Sequence, residues 1–182
     1  MIRLYTYSSI LFFFFFIGNH NSNTLKAQSA KQNIESLFVS LPDNSLKVDS
    51  LNKISRDVES NEDAIVIGLR ILKLAKQINY RKGEAQALNN IGVAFYNSGK
   101  ANEALEYHQK AMLIRKELEN KKDISASYTN MGNAYDRLGN KKRAIEYHTK
   151  SLALKTAIRD SFGMALSYNN ICLLYTSDAA DE

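Results

Sequence analysis

Apolar residues along this chain recur at spacings of three and four, and the pattern as a whole recurs every 40 residues. Shifted by that step, Ala87-Leu88-Asn89-Asn90-Ile91-Gly92-Val93-Ala94-Phe95 overlies Ser127-Tyr128-Thr129-Asn130-Met131-Gly132-Asn133-Ala134-Tyr135. Ala104-Leu105-Glu106-Tyr107-His108-Gln109-Lys110 overlies Ala144-Ile145-Glu146-Tyr147-His148-Thr149-Lys150, and Gly99 overlies Gly139. One step further on, Ser167-Tyr168-Asn169-Asn170-Ile171 keeps the register. One step back, Val48, Leu51 and Ala64 stand in a worn copy. Copies therefore lie at about 43–82, 83–122 and 123–162, with another starting at 163.

Each copy predicts two helices. The first carries Leu88, Ile91 and Phe95, or Tyr128, Met131 and Tyr135, on one face. Gly99 and Gly139 supply the positive φ of a tight turn. The second helix carries Ala104, Tyr107, Ala111, Ile114 and Leu118, matched by Ala144, Tyr147, Ser151, Leu154 and Ile158, and in the worn copy by Ala64, Ile67, Ile71, Leu74 and Ile78. Gly92 and Ala104, repeated as Gly132 and Ala144, predict close approach between the two helices. Glu106–Lys110 and Glu146–Lys150 are i,i+4 pairs in the favourable order. Segment 30–43 is expected to act as a cap, with a short helix over about 31–41 stopped by Pro42.

The chain has 182 residues, 45% hydrophobic and 24% charged, so a packed fold is expected. One Pro and 8 Gly suit helices with short turns better than a turn-rich β protein. The net charge of +5 comes without a basic run of the kind that grips nucleic acid. Cys172, the single cysteine, cannot form an internal disulfide or a thiolate metal site.

Residues 1–29 read as a signal peptide. Arg3 precedes an eight-residue apolar run, Ile10 to Ile17, too short for a span that needs roughly 20 residues. Ala27 and Ser29 fit cleavage after Ser29. No cysteine lies nearby, so a lipoprotein anchor is not expected. Removing this segment removes Arg3 and Lys26 and no acids, leaving 22 basic and 19 acidic residues, a charge of +3. The expected location is exported, periplasmic or secreted, or the periplasmic part of an inner-membrane protein.

Gly92, Phe95 and Ala104, with Gly132, Tyr135 and Ala144, resemble the tetratricopeptide repeat over about residues 44–171. The resemblance implies an all-α, right-handed superhelical solenoid of antiparallel helix pairs. The chain departs from the usual unit in two ways: its step is 40, not 34, and no proline ends the second helix. The 40-residue form resembles repeats of the kinesin-light-chain and G-protein-regulator adaptors and of exported bacterial sensor proteins. A longer second helix and a polar turn (Glu119 to Lys122; Arg159 to Gly163) are expected to absorb the extra length.

Residues 172–182 break the register. Cys172 replaces the expected glycine, and the run to Glu182 resembles the translation of a transposon adaptor used in sequencing libraries. It reads as a non-native tail joined to a truncated gene, on which reading Cys172 has no native role.

No phosphate-binding loop, HExxH, Gly-x-Ser-x-Gly or paired-cysteine motif occurs, so neither catalytic residue, metal nor cofactor is expected. His108 and His148 recur at the repeat step and read as packing residues. The family resemblance implies that the first helices line a groove, where asparagine hydrogen-bonds the backbone of an extended peptide. That makes Asn90, Asn130 and Asn170 the candidate ladder, with Asn89, Thr129, Asn169, Asn133, Asp136 and Arg137 sharing its surface. The competing role for the ladder is to bond neighbouring helices and set the stacking angle. Ser50 replaces it in the worn copy, so the groove should begin at the second unit. The carboxylate-clamp members of the family carry lysine and arginine at places held here by Asn89, Val93, Thr129 and Asn133, so a clamp of that kind is not expected. Tyr128 and Tyr168 could form a ladder that stacks a ligand, but aromatic residues at core spacing read first as packing residues.

The expected function is binding of a peptide or partner protein, with no nucleic acid and no membrane contact except through a missing C-terminal span. The alternative is the sensor region of a truncated signalling protein, ahead of a histidine kinase or a helix-turn-helix regulator.

Overall fold

The computed structural model describes residue 32 and residues 34–179. The signal peptide assigned to residues 1–29 and the last three residues of the tail lie outside the described residues.

Among the described residues the chain is helical throughout, with no strand. Helical residues 34–40 form α1. It is followed by α2 (Ser45–Ile54), a 3₁₀ turn (Ser55–Asp57), α3 (Asn61–Gln77), α4 (Arg81–Asn97), α5 (Ala101–Glu117), α6 (Lys121–Arg137), α7 (Lys141–Ala157) and α8 (Ser161–Ala179). The described part of the 172–182 stretch continues α8.

The starts of several helices carry side-chain caps. Asn44 accepts from the Lys47 amide at 3.0 Å and Ser60 from Asp63 at 3.2 Å. Asn120 and Asn140 accept from Asp123 and Arg143, each at 3.1 Å. The ends share one device. Gly99 (φ 80°) and Gly139 (φ 73°) close the first helices. Asn79, Glu119 and Arg159, at φ 56°, 54° and 57°, close the second. At every one of these turns the residue after the left-handed one donates its N–H five residues back, as Lys100 does to Phe95 O at 2.9 Å. This double closure satisfies carbonyls that a bare helix end would leave open.

The repeat divides evenly. Helices α4, α5, α6 and α7 each have 17 residues. In these two pairs the second helix is therefore no longer than the first, and the expected lengthening of the second helix is not what fills the 40-residue step. Two 17-residue helices and two three-residue turns fill it.

Each helix packs on the next, while α2 meets α4 and α4 meets α6, so the first helices form one continuous face. An aliphatic cluster of Ile34, Val48, Leu51, Ile67, Ile71 and Leu74 fills the N-terminal pair. Leu88, Ala111 and Ile114 pack the second pair, and Leu105, Met131, Ala134, Tyr135 and Ala144 link it to the third. Cap helix α1 is held by buried Lys47, whose Nζ donates to Phe38 O within it and to Leu41 O and Asp43 Oδ1 just after it, the last two at 2.8 Å. No helix among the described residues is long and apolar enough to cross a membrane.

Candidate functional site

The histidines explain the recurring glycines. His108 and His148 are fully buried between the helices of their pairs. A Cβ on Gly92 would lie 2.7 Å from His108 Cε1, and one on Gly132 would lie 2.7 Å from His148 Cε1. The glycine makes room for an imidazole ring, which is a different reason for smallness from the close helix approach expected of Gly92 with Ala104. Burial first, and the Arg115 charge second, push His108 down to about 4. Burial also lowers His148, with Asp136 opposing and Lys155 assisting. Both Nδ1 atoms are buried without a hydrogen-bond partner among the described residues, which suits the neutral ring, since imidazolium must donate from both nitrogens.

A second repeated device was legible in the register but escaped the apolar reading. Arg115 and Lys155, 40 residues apart, sit at the ends of α5 and α7 and are buried. Arg115 Nη1 donates to Ser127 Oγ at 2.7 Å, Asp123 O at 3.1 Å and Asn89 Oδ1 at 3.2 Å. Lys155 Nζ donates to Ser167 Oγ at 3.0 Å and Thr129 Oγ1 at 3.1 Å. Each cation thus pins the first helix of its own pair to the first helix of the next. Burial lowers the pKa of both, opposed by Asp123 and Asp160 respectively. The recurrence of a cation directly after Ile114 and Leu154 was the available signal.

The candidate ladder divides. Asn90 is buried; its Nδ2 donates to Asn52 O at 2.9 Å and Ser55 Oγ at 3.1 Å, and its Oδ1 accepts from Gln86 at 2.8 Å. Half-buried Asn130 donates to Asn89 Oδ1 at 3.0 Å, the oxygen that Arg115 also reaches. Both amides therefore bond the first helix of the preceding unit. Arg137 is exposed, with its guanidinium 4.1 Å over the Tyr96 ring and a hydrogen bond to Tyr96 O. Asn169 is exposed.

Asn133 and Asn170 come together. With Asp136, His148, Leu173 and Leu174 they line a cavity of about 390 Å³ between α6 and α8. Neither amide has a hydrogen-bond partner among the described residues. Tyr128 packs 5.9 Å from Tyr147, whereas Tyr168 is 54% exposed and joins no such stack. A second cavity, of about 180 Å³, opens among α2, α4 and α6. No group of three or more His, Cys, Asp or Glu positioned for a metal occurs among the described residues.

The family model for the tetratricopeptide repeat matches residues 83–157. Residues 83–157 are tetratricopeptide repeats. The solenoid is similar to apo RapI, with a TM-score of 0.72 at 19% identity, over 93% of this chain and 64% of that one. It is similar to a Rap protein complexed with Competence and Sporulation Factor, with a TM-score of 0.68 at 14% identity, over 91% and 47%. It is also similar to a Signal Transduction ATPase with Numerous Domains, with a tetratricopeptide repeat sensor, from Pyrococcus horikoshii; there the TM-score is 0.64 at 20% identity, over 71% and 20%. The chain spans less than two-thirds of the length of each of these proteins. At these identities the likeness speaks for the fold alone. No curated protein sequence matches the chain. The tetratricopeptide fold is typical of protein–protein interaction modules, and proteins built from it are generally non-enzymatic scaffolds.

Proposed function

We propose that this tetratricopeptide array binds an extended segment of a partner protein along its first-helix face, without catalysis of its own. The observation that supports this most directly is the α6–α8 cavity, where the Asn133 and Asn170 amides have no partner among the described residues. An amide offers a donor and an acceptor together, which matches a peptide backbone without requiring one sequence. Asn169, next to Asn170 in the chain, is exposed, while Arg137 turns to Tyr96 on α4. Asn90 and Asn130, and with them Asn89, serve the face indirectly by fixing the stagger of the first helices. The partner is a protein rather than nucleic acid or lipid, and export of the chain through residues 1–29 places the encounter outside the cytoplasm.

The test is selection of displayed random peptides on the full chain, followed by affinity measurement with variants. Asn133→Ala should weaken a selected peptide by roughly tenfold, the value of one or two lost hydrogen bonds, while the melting temperature holds. Peptides that bind Asn133→Ala and the parent chain equally would remove the amide reading. The alternative, a sensor region ahead of a kinase or regulator, is favoured by one observation: the same fold serves as the sensor of the Pyrococcus horikoshii protein. The intact reading frame beyond residue 171 tests it. A membrane span and a phosphoacceptor domain there would support it, and a stop after further repeats would reject it.

A further inference from the structure

The last two junctions between first helices are filled differently. At the α4–α6 junction Tyr96 packs against the cluster of Leu105, Met131 and Ala134. Arg137 then reaches back from α6, donates to Tyr96 O and lays its guanidinium 4.1 Å over the Tyr96 ring. One 40-residue step on, the place of Tyr96 is held by Asp136 and that of Val93 by Asn133. A short carboxylate stands where the ring stood, and a cavity of about 390 Å³ lies open between α6 and α8.

The lining of that cavity carries one negative charge and no positive one. Asp136 is exposed and forms no ion pair with a described residue, and no lysine or arginine lines the cavity. Burial lowers the pKa of His148, so its ring is neutral near pH 7 and supplies no counter-charge. Lys155, whose charge His148 also feels, spends its hydrogen bonds on Ser167 and Thr129. Asn90 and Asn130 are consumed in bonding the preceding unit, whereas Asn133 and Asn170 are free to turn an amide oxygen inward. Leu173 and Leu174 add an apolar wall. A carboxylate, two amide oxygens and aliphatic surface together match a basic side chain. Its N–H groups need acceptors, a carboxylate best of all, and its methylene stem needs apolar cover. The carboxylate and both amides precede residue 172, so the tail supplies none of the polar chemistry.

We propose that the α6–α8 cavity receives an arginine or lysine side chain of the bound partner segment, with Asp136 as its counter-charge and Asn133 and Asn170 as its further acceptors. The entering cation takes, at this junction, the part that Arg137 plays within the chain one junction earlier. The proposal rests on the first-helix face being the peptide-binding face, and it adds the ligand chemistry: a segment with a basic residue where it meets α6 and α8. The ligand charge is opposite in sign to the one that clamp-type members of the family hold with lysine and arginine.

The experiment titrates the isotope-labelled full chain with two end-blocked pentapeptides, Ala-Ala-Arg-Ala-Ala and its counterpart with citrulline, the uncharged isostere, in place of arginine. Backbone amide resonances report the binding. The arginine peptide should shift Asn133, Asp136 and Asn170 and bind roughly tenfold more tightly than the citrulline peptide, the value of one charge-assisted hydrogen bond. Asp136→Asn should erase that difference with the melting temperature unchanged, since the carboxylate has no partner in the chain. Glu146→Gln removes the same charge from an exposed place on α7 and should leave the difference intact. Equal binding of the two peptides by the parent chain, a difference that survives Asp136→Asn, or one that Glu146→Gln erases equally would each overturn the assignment. The two readings fail separately. Peptides that bind equally, and that Asn133→Ala weakens equally, would leave the groove reading standing without the cation pocket. Absence of any peptide binding on the first-helix face would remove both.

Discussion

The first helix pair and the two that follow solve one packing problem with opposite choices of volume. In the pairs α4–α5 and α6–α7, glycine on the first helix makes room for histidine on the second. In α2–α3 the register puts Asn52 where those glycines stand and Gly68 where those histidines stand. The space over Gly68 is taken from outside the pair, since a Cβ there would lie 3.4 Å from Ile91 Cδ1 of α4 and nearer still to its Cγ1. Asn52 turns towards the next unit instead and donates to Gly83 O at 3.1 Å. An internal unit must fit neighbours on both sides, so its sequence is held to a pattern. The end unit fits one tetratricopeptide neighbour and the cap helix, so aliphatic residues replace the histidine device. What is kept is a filled space, not residue type.

Acid should divide the two regions most strongly. His108 titrates at about 4 when folded and near 6.5 when unfolded. Its folded pKa is depressed, so the unfolded chain binds the extra proton across that interval. Stability is then full above about pH 6.5, falls as pH drops, and levels off below about 4, a loss of about 3 kcal/mol for this group. His148 acts in the same direction. Hydrogen exchange near pH 4.5 should show α4–α7 opening before α2–α3, which lacks the device. Uniform opening, or an unchanged pH slope in His108→Gln, would contradict it.

Gly132→Leu should come next, at about 2–3 kcal/mol, because the added side chain meets the His148 ring. Gly139 has open space around its Cβ position and φ 73°, so Gly139→Ala tests backbone strain alone, at about 1 kcal/mol. Equal denaturation midpoints for the two variants would deny the ring contact.

The smallest effects separate two asparagines that look alike in sequence. Asn90→Ala removes two buried bonds to the first pair, leaving Asn52 O and Ser55 Oγ only their bond to each other, at about 1–2 kcal/mol. Asn130→Ala gives up one half-buried bond, at about 0.5 kcal/mol. Equal losses in urea denaturation would mean that the junction between first and second units is no tighter than the one after it.

Much of this was legible beforehand because the helices are local objects. Leu88, Ile91, Ala104, Ala111, Ile114, Met131 and Ala144 form the buried stripes that their spacing requires, and Gly99 and Gly139 turn where a positive φ was needed. Leu118, read as part of a stripe, is 44% exposed, because the chain there is already leaving α5 for its turn. Arg115 and Lys155 were passed over because a charged residue beside an apolar stripe ordinarily belongs to solvent. Their burial depends on acceptors 12 and 26 residues away.

The amino-acid order alone therefore determined the class of fold, the 40-residue step, the helix faces and the turns, all of which rest on contacts within a few residues. Tertiary structure decided the partners of each polar group: that Asn90 and Asn130 bond the preceding unit, that Asn133 and Asn170 meet at one cavity, and that a histidine rests on Gly92 and on Gly132. Periodicity gives every repeat the same side chains at the same places. Which of them are consumed in stacking, and which stay free for another chain, depends on how far one hairpin slides against the next, and only side-chain volumes brought together from distant parts of the chain set that distance.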